Sequence, residues 1–366
     1  MELIANRVSK LQEIMHRESF DYLFLGPSAN MFYFSGLQTS PDERLQLIIV
    51  PAEGRPSAVL PEMYLAKAES ILSDNFSLIP WSDQNDPFQL TASRIPDKGK
   101  LRIAIDNTLR ADHLIGLGKV FPEVEFETAS VLVDALRVQK DEQEIKLMHE
   151  AGKIADQVML KVQNTIKPGM SEKELVAFIE FEYKKLGDDI SFKPIVASGP
   201  NGAQPHHSPG DRRFEKGDFI VIDCGALYKG YCSDITRTLC LGQATEEMKK
   251  VYNTVRDANE GAFQAFVNND QLSGEEADQA ARKVITDAGY GDFFIHRLGH
   301  GIGLEVHEAP YLVEGNSTPF SKGAAFTIEP GIYLSGKFGV RIEDVAVLTD
   351  RGPQRLTAFP RELIEI

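Results

Sequence analysis

Hydrophobic residues in the first third of the chain form short apolar runs separated by stretches with a helical repeat. The runs at Asp21–Leu25, Leu45–Val50 and Leu101–Ile105 have the length and composition of buried strands. Their alternation with helix-like segments is typical of an α/β domain with a mixed sheet. This region contains no phosphate-binding loop and no dinucleotide-binding glycine motif.

The pattern changes near Val133–Asp141. Asp141 begins an Asp-x-x-Glu capping box with Glu144, which predicts a long helix that ends at about Ile166. A chain of 366 residues favours two domains over one. We therefore predict an N-terminal α/β domain over residues 1–135 and a second domain over residues 136–366.

The second domain contains an internal echo. Two Ser-x-x-Glu capping boxes each begin a helix that stops at a glycine, and the spacing is the same in both: Ser171, Glu174 and Gly187, then Ser273, Glu276 and Gly289. A longer helix precedes each one, and strand-like sequence follows. This order favours two similar α+β halves with an active-site cleft between them. Unrelated helices that share common caps are the alternative.

The first of two predicted β-hairpins carries a pair of aspartates. Its strands are Phe219–Gly225 and Tyr231–Leu241, joined by a turn at Tyr228–Gly230. Asp223 and Asp234 are equidistant from the midpoint between Tyr228 and Lys229, so we predict that they face each other across the strands.

The second hairpin repeats this arrangement with glutamates. Its strands are Ala325–Leu334 and Phe338–Thr349, and Glu329 and Glu343 are equidistant from Gly336 in the turn. Like charges directly opposed in a sheet are destabilising, and burying unpaired carboxylates costs more. A bound cation relieves both problems. The alternative is that these acids are solvated or paired with arginines.

Histidines accompany the acids. A glycine-rich segment carries three of them and a Gly/Pro/Asn-rich loop carries two: His296, His300 and His307, then His206 and His207. The glycines imply a sharp bend that would aim imidazoles into a cleft, although simple loop exposure also accounts for the pair in the upstream loop.

Four carboxylates and one imidazole form an oxygen-rich candidate metal site, made of Asp223, Asp234, His300, Glu329 and Glu343. Two divalent cations would neutralise the four negative charges. Hard oxygen ligands favour Mn²⁺, with Co²⁺ or Zn²⁺ also possible. Paired metals activate water and polarise a carbonyl, which indicates hydrolysis of an amide or ester.

The composition limits the classes of molecule that this protein is expected to bind. The 39 basic and 54 acidic residues leave a formal charge of −15, which argues against nucleic acid and anionic membranes as partners. No stretch is apolar enough to span a membrane, and the start of the chain lacks the pattern of a signal peptide. Three cysteines without a paired framework favour a reducing compartment, so we expect a cytoplasmic protein.

Six ordered motifs resemble those of the prolidase/aminopeptidase P family. They are Ile222–Gly225, Ser233–Thr238, Gly299–Gly303, His307–Pro310, Thr327–Gly331 and Gly339–Asp344. Order and spacing match across residues 141–366, and Asn30–Gly36 with Glu43-Arg44 resembles the N-terminal domain of that family more loosely.

The resemblance implies an α+β fold: a pseudo-two-fold pita-bread catalytic domain preceded by a smaller α/β creatinase-like domain. It implies that Asp223 binds one metal, that His300 and Glu329 bind the other, and that Asp234 and Glu343 bridge the two. It further implies a homodimer in which the N-terminal domain of the partner borders the cleft.

Further site residues follow from the same resemblance. The implied catalytic residues are His206, His307, Glu329 and Arg341, and the implied substrate-binding residues are His206, His296, His307 and Tyr311. Glu329 is the candidate proton shuttle, and His307 corresponds to a histidine that stabilises the tetrahedral intermediate.

One position departs from the pattern. Some dipeptidases of the family place an arginine directly after the His-Glu-x-Pro motif, where it holds the substrate carboxylate. Tyr311 stands there in this chain, and residues 298–340 contain no arginine. Strict dipeptide specificity is therefore in question, and a carboxylate anchor would have to come from elsewhere.

The function favoured by the sequence is hydrolysis of the Xaa-Pro bond of small peptides with proline in the second position, by an Xaa-Pro dipeptidase. An aminopeptidase P acting on longer Xaa-Pro peptides is the main alternative. The large N-terminal domain argues against a methionine aminopeptidase. The complete ligand set argues against a creatinase-like enzyme and against a non-catalytic pita-bread binding module.

Overall fold

The computed structural model of the chain describes residues 2–72, 75–95 and 100–366. Internal contacts divide the chain into two compact units, Met1–Arg137 and Val138–Ile366. Each unit has its own hydrophobic core, as expected for domains of this size.

The first unit is a six-stranded sheet with helices. Its helices are α1 (Glu2–Glu18), α2 (Ala29–Ser35), α3 (Leu65–Leu72), α4 (Pro87–Ser93), α5 (Ala111–Val120) and α6 (Ser130–Arg137). Its strands are β1 (Tyr22–Leu25), β2 (Leu47–Pro51), β3 (Ser57–Pro61), β4 (Ser77–Trp81), β5 (Arg102–Ile105) and β6 (Glu125–Thr128). The strand order is β4-β3-β2-β1-β5-β6, with β2 antiparallel to both neighbours and the other pairs parallel. The predicted mixed α/β sheet is therefore confirmed, and its three predicted strands are β1, β2 and β5.

The second unit contains four long helices. They are α7 (Glu142–Thr165), α8 (Glu172–Leu186), α9 (Glu246–Asn268) and α10 (Gly274–Asp287). Its strands are β7 (Asp189–Ile190), β8 (Ile195–Ser198), β9 (Phe219–Cys224), β10 (Ala226–Tyr228), β11 (Tyr231–Cys232), β12 (Ile235–Cys240), β13 (Gly299–Gly301), β14 (Glu308–Leu312), β15 (Ala325–Ile328), β16 (Gly331–Leu334), β17 (Phe338–Arg341), β18 (Asp344–Thr349) and β19 (Gly352–Arg355).

The repeated helix pairs are confirmed. Reciprocal capping boxes at Asp141, Ser171 and Ser273 begin α7, α8 and α10, because each cap oxygen accepts from the N3 amide while the N3 glutamate accepts from the cap amide. Helices α7 and α8 pack on the sheet β12-β9-β8, and α9 and α10 pack against strands of the second half that include β15, β16 and β17. The unit thus consists of two α+β halves in the pseudo-two-fold arrangement.

The register of the first hairpin differs from the prediction. Asp223 pairs with Thr236, not with Asp234, so the prediction of directly opposed aspartates is wrong. The turn consists of Lys229 and Gly230, which both have positive φ, as a two-residue type I′ turn requires. This shifts the pairing by two residues. Because side chains alternate faces, a two-residue shift keeps an acid on the same side of the sheet.

The second hairpin has the predicted register. Strands β15 and β18 and strands β16 and β17 share one continuous register, which places Glu329 opposite Glu343 where the ladder is interrupted. In this gap the Glu329 amide donates to the Leu298 carbonyl and the Glu343 amide donates to the Thr236 carbonyl. The interruption therefore ties the second hairpin to both halves of the unit.

Candidate active site

All five predicted metal ligands line one cleft of about 330 Å³ in the second unit. The remaining lining residues are Phe192, Ile195, Pro205, His206, His296, Arg297, Val306, His307 and Arg341. Apolar residues from β8 and the loop after β13 therefore face a floor made of carboxylates and histidines.

The closest group of ligand atoms comes from Asp234, His300 and Glu343, whose atoms lie within 4.8 Å of one another. His300 Nε2 lies 3.9 Å from an Asp234 oxygen and 3.2 Å from an oxygen of Glu329. His300 Nδ1 lies 3.0 Å from the Gly301 carbonyl oxygen, which can only accept. Nδ1 therefore donates to this carbonyl, and Nε2 faces the carboxylates, where it would bind a metal ion.

Asp223 completes the set from β9. One of its oxygens accepts from Arg341 at 2.6 Å, whereas its Oδ1 has no hydrogen-bond partner among the described residues. Within the same residues, Oδ1 of Asp234 has none either. Buried carboxylate oxygens without partners are rare because each forfeits its hydration. They fit divalent cations, which would bind these oxygens.

Electrostatics supports the same interpretation. Burial raises the pKa of Asp234 and of Glu343 well above the usual range, and the neighbouring carboxylates raise both further. Burial also acts to raise the pKa of Glu329, but the hydrogen bond and charge of His300 outweigh it and lower the value to about 2. The cluster repels itself without a cation and is stabilised by one.

Arg341 connects the cluster to the cleft wall. In addition to Asp223 it donates to the Tyr333 hydroxyl at 3.1 Å and to the Thr236 hydroxyl at 3.1 Å. The Thr236 hydroxyl in turn donates to Glu343 at 2.6 Å. His296 Nε2 lies 2.9 Å from the same Tyr333 hydroxyl. Tyr333 therefore contacts both Arg341 and His296, and Thr236 contacts both Arg341 and Glu343.

His307 lies at the mouth of the site, with its ring centroid 4.2 Å from that of His300. Partial burial and the nearby His300 lower the pKa of His307 to about 4. The imidazole is therefore neutral near pH 7 and carries one N–H that can donate a hydrogen bond. It lies next to the ligands and is exposed toward the cleft.

His206 is exposed on a loop that a buried carboxylate holds in place. Glu172, at the start of α8, accepts from five donors: the Ser198 amide and hydroxyl, the Asn201 side chain, His207 Nε2 and the Gly210 amide. His206 faces the cleft and His207 faces away to fix the loop. The two neighbouring histidines thus have different environments.

Tyr311 lies on β14 opposite His300, outside the residues that line the cleft. Its ring is 38% exposed and lies beneath the guanidinium carbon of Arg297, at 4.4 Å from the centroid. Arg297, which does line the cleft, was missed by the sequence analysis. Its position three residues before His300 in the histidine-rich segment is the signal that could have identified it.

Three more residues that contact the site escaped prediction. Thr236 is two residues beyond Asp234, so strand alternation could have identified it. Nothing in the sequence singles out Tyr333 or Glu172, because their contacts join segments distant along the chain.

The fold and the site together define a class, the metallopeptidases of pita-bread architecture. The model of metallopeptidase family M24 matches residues 146–350, and the model of the creatinase/prolidase N-terminal domain matches residues 7–139. The chain belongs to metallopeptidase family M24. It is therefore a hydrolase, and the family implies dependence on divalent metal.

Individual known proteins are similar to this chain over almost its whole length. The Xaa-Pro dipeptidase of Pyrococcus furiosus is 35% identical, covering 99% of this chain and 100% of its own. A crystal structure of recombinant prolidase from Thermococcus sibiricus has a TM-score of 0.94 at 40% identity, covering 98% of both chains. That of an X-Pro aminopeptidase from Thermotoga maritima has a TM-score of 0.84 at 33% identity, covering 97% and 100%.

Across residues 2–72, 75–95 and 100–366, no helix combines the length and apolar character needed to cross a bilayer.

Proposed function

We propose that this protein is an Xaa-Pro dipeptidase that uses two divalent metal ions, with Mn²⁺ the favoured ion. The observation that carries this proposal is the buried set of four carboxylates and one imidazole, with unpartnered Asp223 and Asp234 oxygens, on the floor of a cleft. The similarity to an Xaa-Pro dipeptidase and to a prolidase structure over almost the whole chain supports the substrate class.

The metal ligands are proposed as follows. Asp223 binds one ion, His300 and Glu329 bind the other, and Asp234 and Glu343 bridge them. The proximity of ligand atoms of Asp234, His300 and Glu343 supports this assignment. Two divalent ions, when bound, supply an activated water and polarise the scissile carbonyl.

The surrounding side chains carry the proton and the charge. Glu329 is the proposed proton shuttle, because its carboxylate lies 3.2 Å from His300 Nε2 and faces the cleft. Neutral His307 donates to the oxygen that becomes negative as the carbonyl is attacked. Arg341 fixes Asp223, and His206 and His296 line the substrate side of the cleft.

An Xaa-Pro substrate offers a free amine and a scissile carbonyl, which the proposed metal ions, when bound, would coordinate. Proline has no amide N–H after the scissile bond, so the cleft need not provide an acceptor for one. Such peptides resist general peptidases because proline also restricts the backbone of the preceding residue.

A substrate panel with Mn²⁺ tests the proposal. We expect cleavage of Ala-Pro, measurable cleavage of Ala-Pro-Ala, and little cleavage of a Met-Ala tripeptide. A tripeptide preference in kcat/KM of tenfold or more, about 1.4 kcal/mol, would change the assignment to aminopeptidase P. The Thermotoga maritima neighbour supports that second candidate. Failure to cleave either proline peptide would overturn the proline assignment.

A protein that stays inactive throughout a metal titration would favour the distant alternative, a non-catalytic binding module.

Two further properties belong to the proposal, a cellular location and an oligomeric state. A cytoplasmic location accords with three free cysteines. We also expect a homodimer, since the first unit carries none of the proposed ligands; light scattering at micromolar concentration measures this, and a fully active monomer would contradict it.

A further inference from the structure

Arg297 is a cation at the wall of the cleft. Among the residues that the structure describes, its guanidinium has no hydrogen-bond acceptor and no carboxylate within ion-pair distance. The guanidinium carbon lies 4.4 Å from the centroid of the Tyr311 ring.

The other arginine that lines the cleft is already engaged. Arg341 is buried, donates to Asp223 at 2.6 Å and contacts the Tyr333 hydroxyl. Arg297 is half-buried and faces the same space without such a partner. In a protein with 54 acidic residues against 39 basic ones, a cleft arginine without a carboxylate is available to an anionic ligand.

The stacking on Tyr311 gives this cation a fixed position. Tyr311 is anchored by the pairing of β14 with β13, opposite His300. A guanidinium held on an aromatic face keeps its N–H groups free at the edge of its plane. A carboxylate binds such an edge through two parallel hydrogen bonds.

We propose that Arg297, positioned by the Tyr311 ring, binds the C-terminal carboxylate of the dipeptide substrate. The proposal rests on the function proposed above. It assigns the recognition of substrate length to a residue of the segment before β13, and not to position 311.

Charge along the substrate sets its direction. The amine of a dipeptide is repelled by Arg297. Arg297 attracts the carboxylate of the dipeptide instead. Every dipeptide has this carboxylate, whereas the side chain of the first residue varies. An acidic first side chain is therefore a less general ligand for Arg297 than the C-terminal carboxylate is. The experiments below distinguish these two ligands.

The test compares Ala-Pro with Ala-Pro amide on the Mn²⁺-loaded full-length protein. Arg297→Gln should lower kcat/KM for Ala-Pro by roughly 10- to 100-fold, mainly through KM, because it removes a charge-assisted bidentate contact. For Ala-Pro amide, the same substitution should change kcat/KM by less than about twofold. Arg297→Lys should recover part of the loss, since it restores charge without the planar fork.

The tyrosine variants test the positioning role. Tyr311→Phe keeps the ring and should behave like the wild type, whereas Tyr311→Ala should show a weaker form of the Arg297→Gln defect. Arg256→Gln, on the exposed face of α9, is the matched control and should leave kcat/KM for both substrates unchanged. Equal losses for Ala-Pro and its amide in Arg297→Gln would overturn the proposal.

Two measurements keep this outcome separate from the proposed function. The first compares the binding of L-proline and L-prolinamide to the metal-loaded wild type, which requires no turnover. We expect tighter binding of L-proline, which carries the free carboxylate. If the wild type does not prefer L-proline, the proposed role of Arg297 is overturned, whether or not the protein is active. A defect of Arg297→Gln confined to Glu-Pro, and absent with Gln-Pro, would place Arg297 at the first side chain and also overturn it. Absence of all cleavage by the wild type would instead reject the proposed function.

Discussion

At the scale of single residues, Glu343 is the carboxylate on which the proposed metal pair most depends. It is buried, its side chain accepts from Thr236, and neighbouring acids raise its pKa. Glu343→Gln keeps the shape and the oxygen that accepts from Thr236 but removes a bridging charge. We predict loss of bound metal and a fall in activity of about 10³-fold or more.

Metal content by mass spectrometry, together with circular dichroism, checks this prediction. Glu314→Gln, an exposed change of the same chemistry, is the control. A Glu343→Gln protein that keeps full metal and full activity would show that Glu343 is not a ligand.

His307 should act on the transition state and not on the metal. Its neutral imidazole lies beside His300 and makes no hydrogen bond to the described part of the chain that a truncation would break. We predict that His307→Ala lowers kcat by about 10²-fold, the usual scale for losing one oxyanion donor. Metal content should stay at the wild-type value; a parallel loss of metal and activity would contradict the assigned role.

At the scale of elements, the loop after β8 depends on one carboxylate. Glu172 is fully buried, and both of its oxygens accept from the loop that carries His206. Glu172→Gln replaces one accepting oxygen with a donor, which leaves amides or His207 unsatisfied. We predict a loss of stability of about 1–3 kcal/mol and a roughly tenfold fall in kcat/KM with unchanged metal content.

Hydrogen exchange of residues 199–210 distinguishes positioning from general destabilisation. The loop should exchange faster in Glu172→Gln while α7 and α9 keep their protection. Glu174→Gln, on the same helix but exposed at its cap, is the matched control. Unchanged exchange in the loop would remove the positioning role.

The hairpins show how an element can be predicted in part. Equal distances from a turn centre placed Glu329 and Glu343 correctly, because the strands on both sides of them share one register. The same rule failed for Asp223 and Asp234, because Lys229 and Gly230 form a tight turn that the symmetry of the acids does not reveal. Turn conformation fixes register, and the chemistry of the flanking acids does not.

At the scale of the whole molecule, the acidic cluster couples metal binding to folding. The ligands come from both halves of the second unit and repel each other without a cation. Divalent ions that bind only the folded state stabilise it by mass action. We predict that chelation lowers Tm by several degrees and that Mn²⁺ restores it.

Differential scanning calorimetry of the apo, Mn²⁺-loaded and Mg²⁺-treated protein measures this effect. Glu343→Gln should respond much less to Mn²⁺ than the wild type does. A Tm that Mn²⁺ leaves unchanged in the wild type would contradict the coupling of the cluster to stability.

The sequence determined the long helices of the second unit, the pairing of Glu329 with Glu343 and the identity of the proposed ligands, because capping boxes and residue type are local properties. The metallopeptidase family follows from six such motifs taken in order. Tertiary structure decided the rest: that Glu172 holds the His206 loop, that Tyr333 joins Arg341 to His296, and that Arg297 lies over Tyr311. These contacts join residues far apart or on different elements, and hydrogen bonding and packing select them only once the chain has folded.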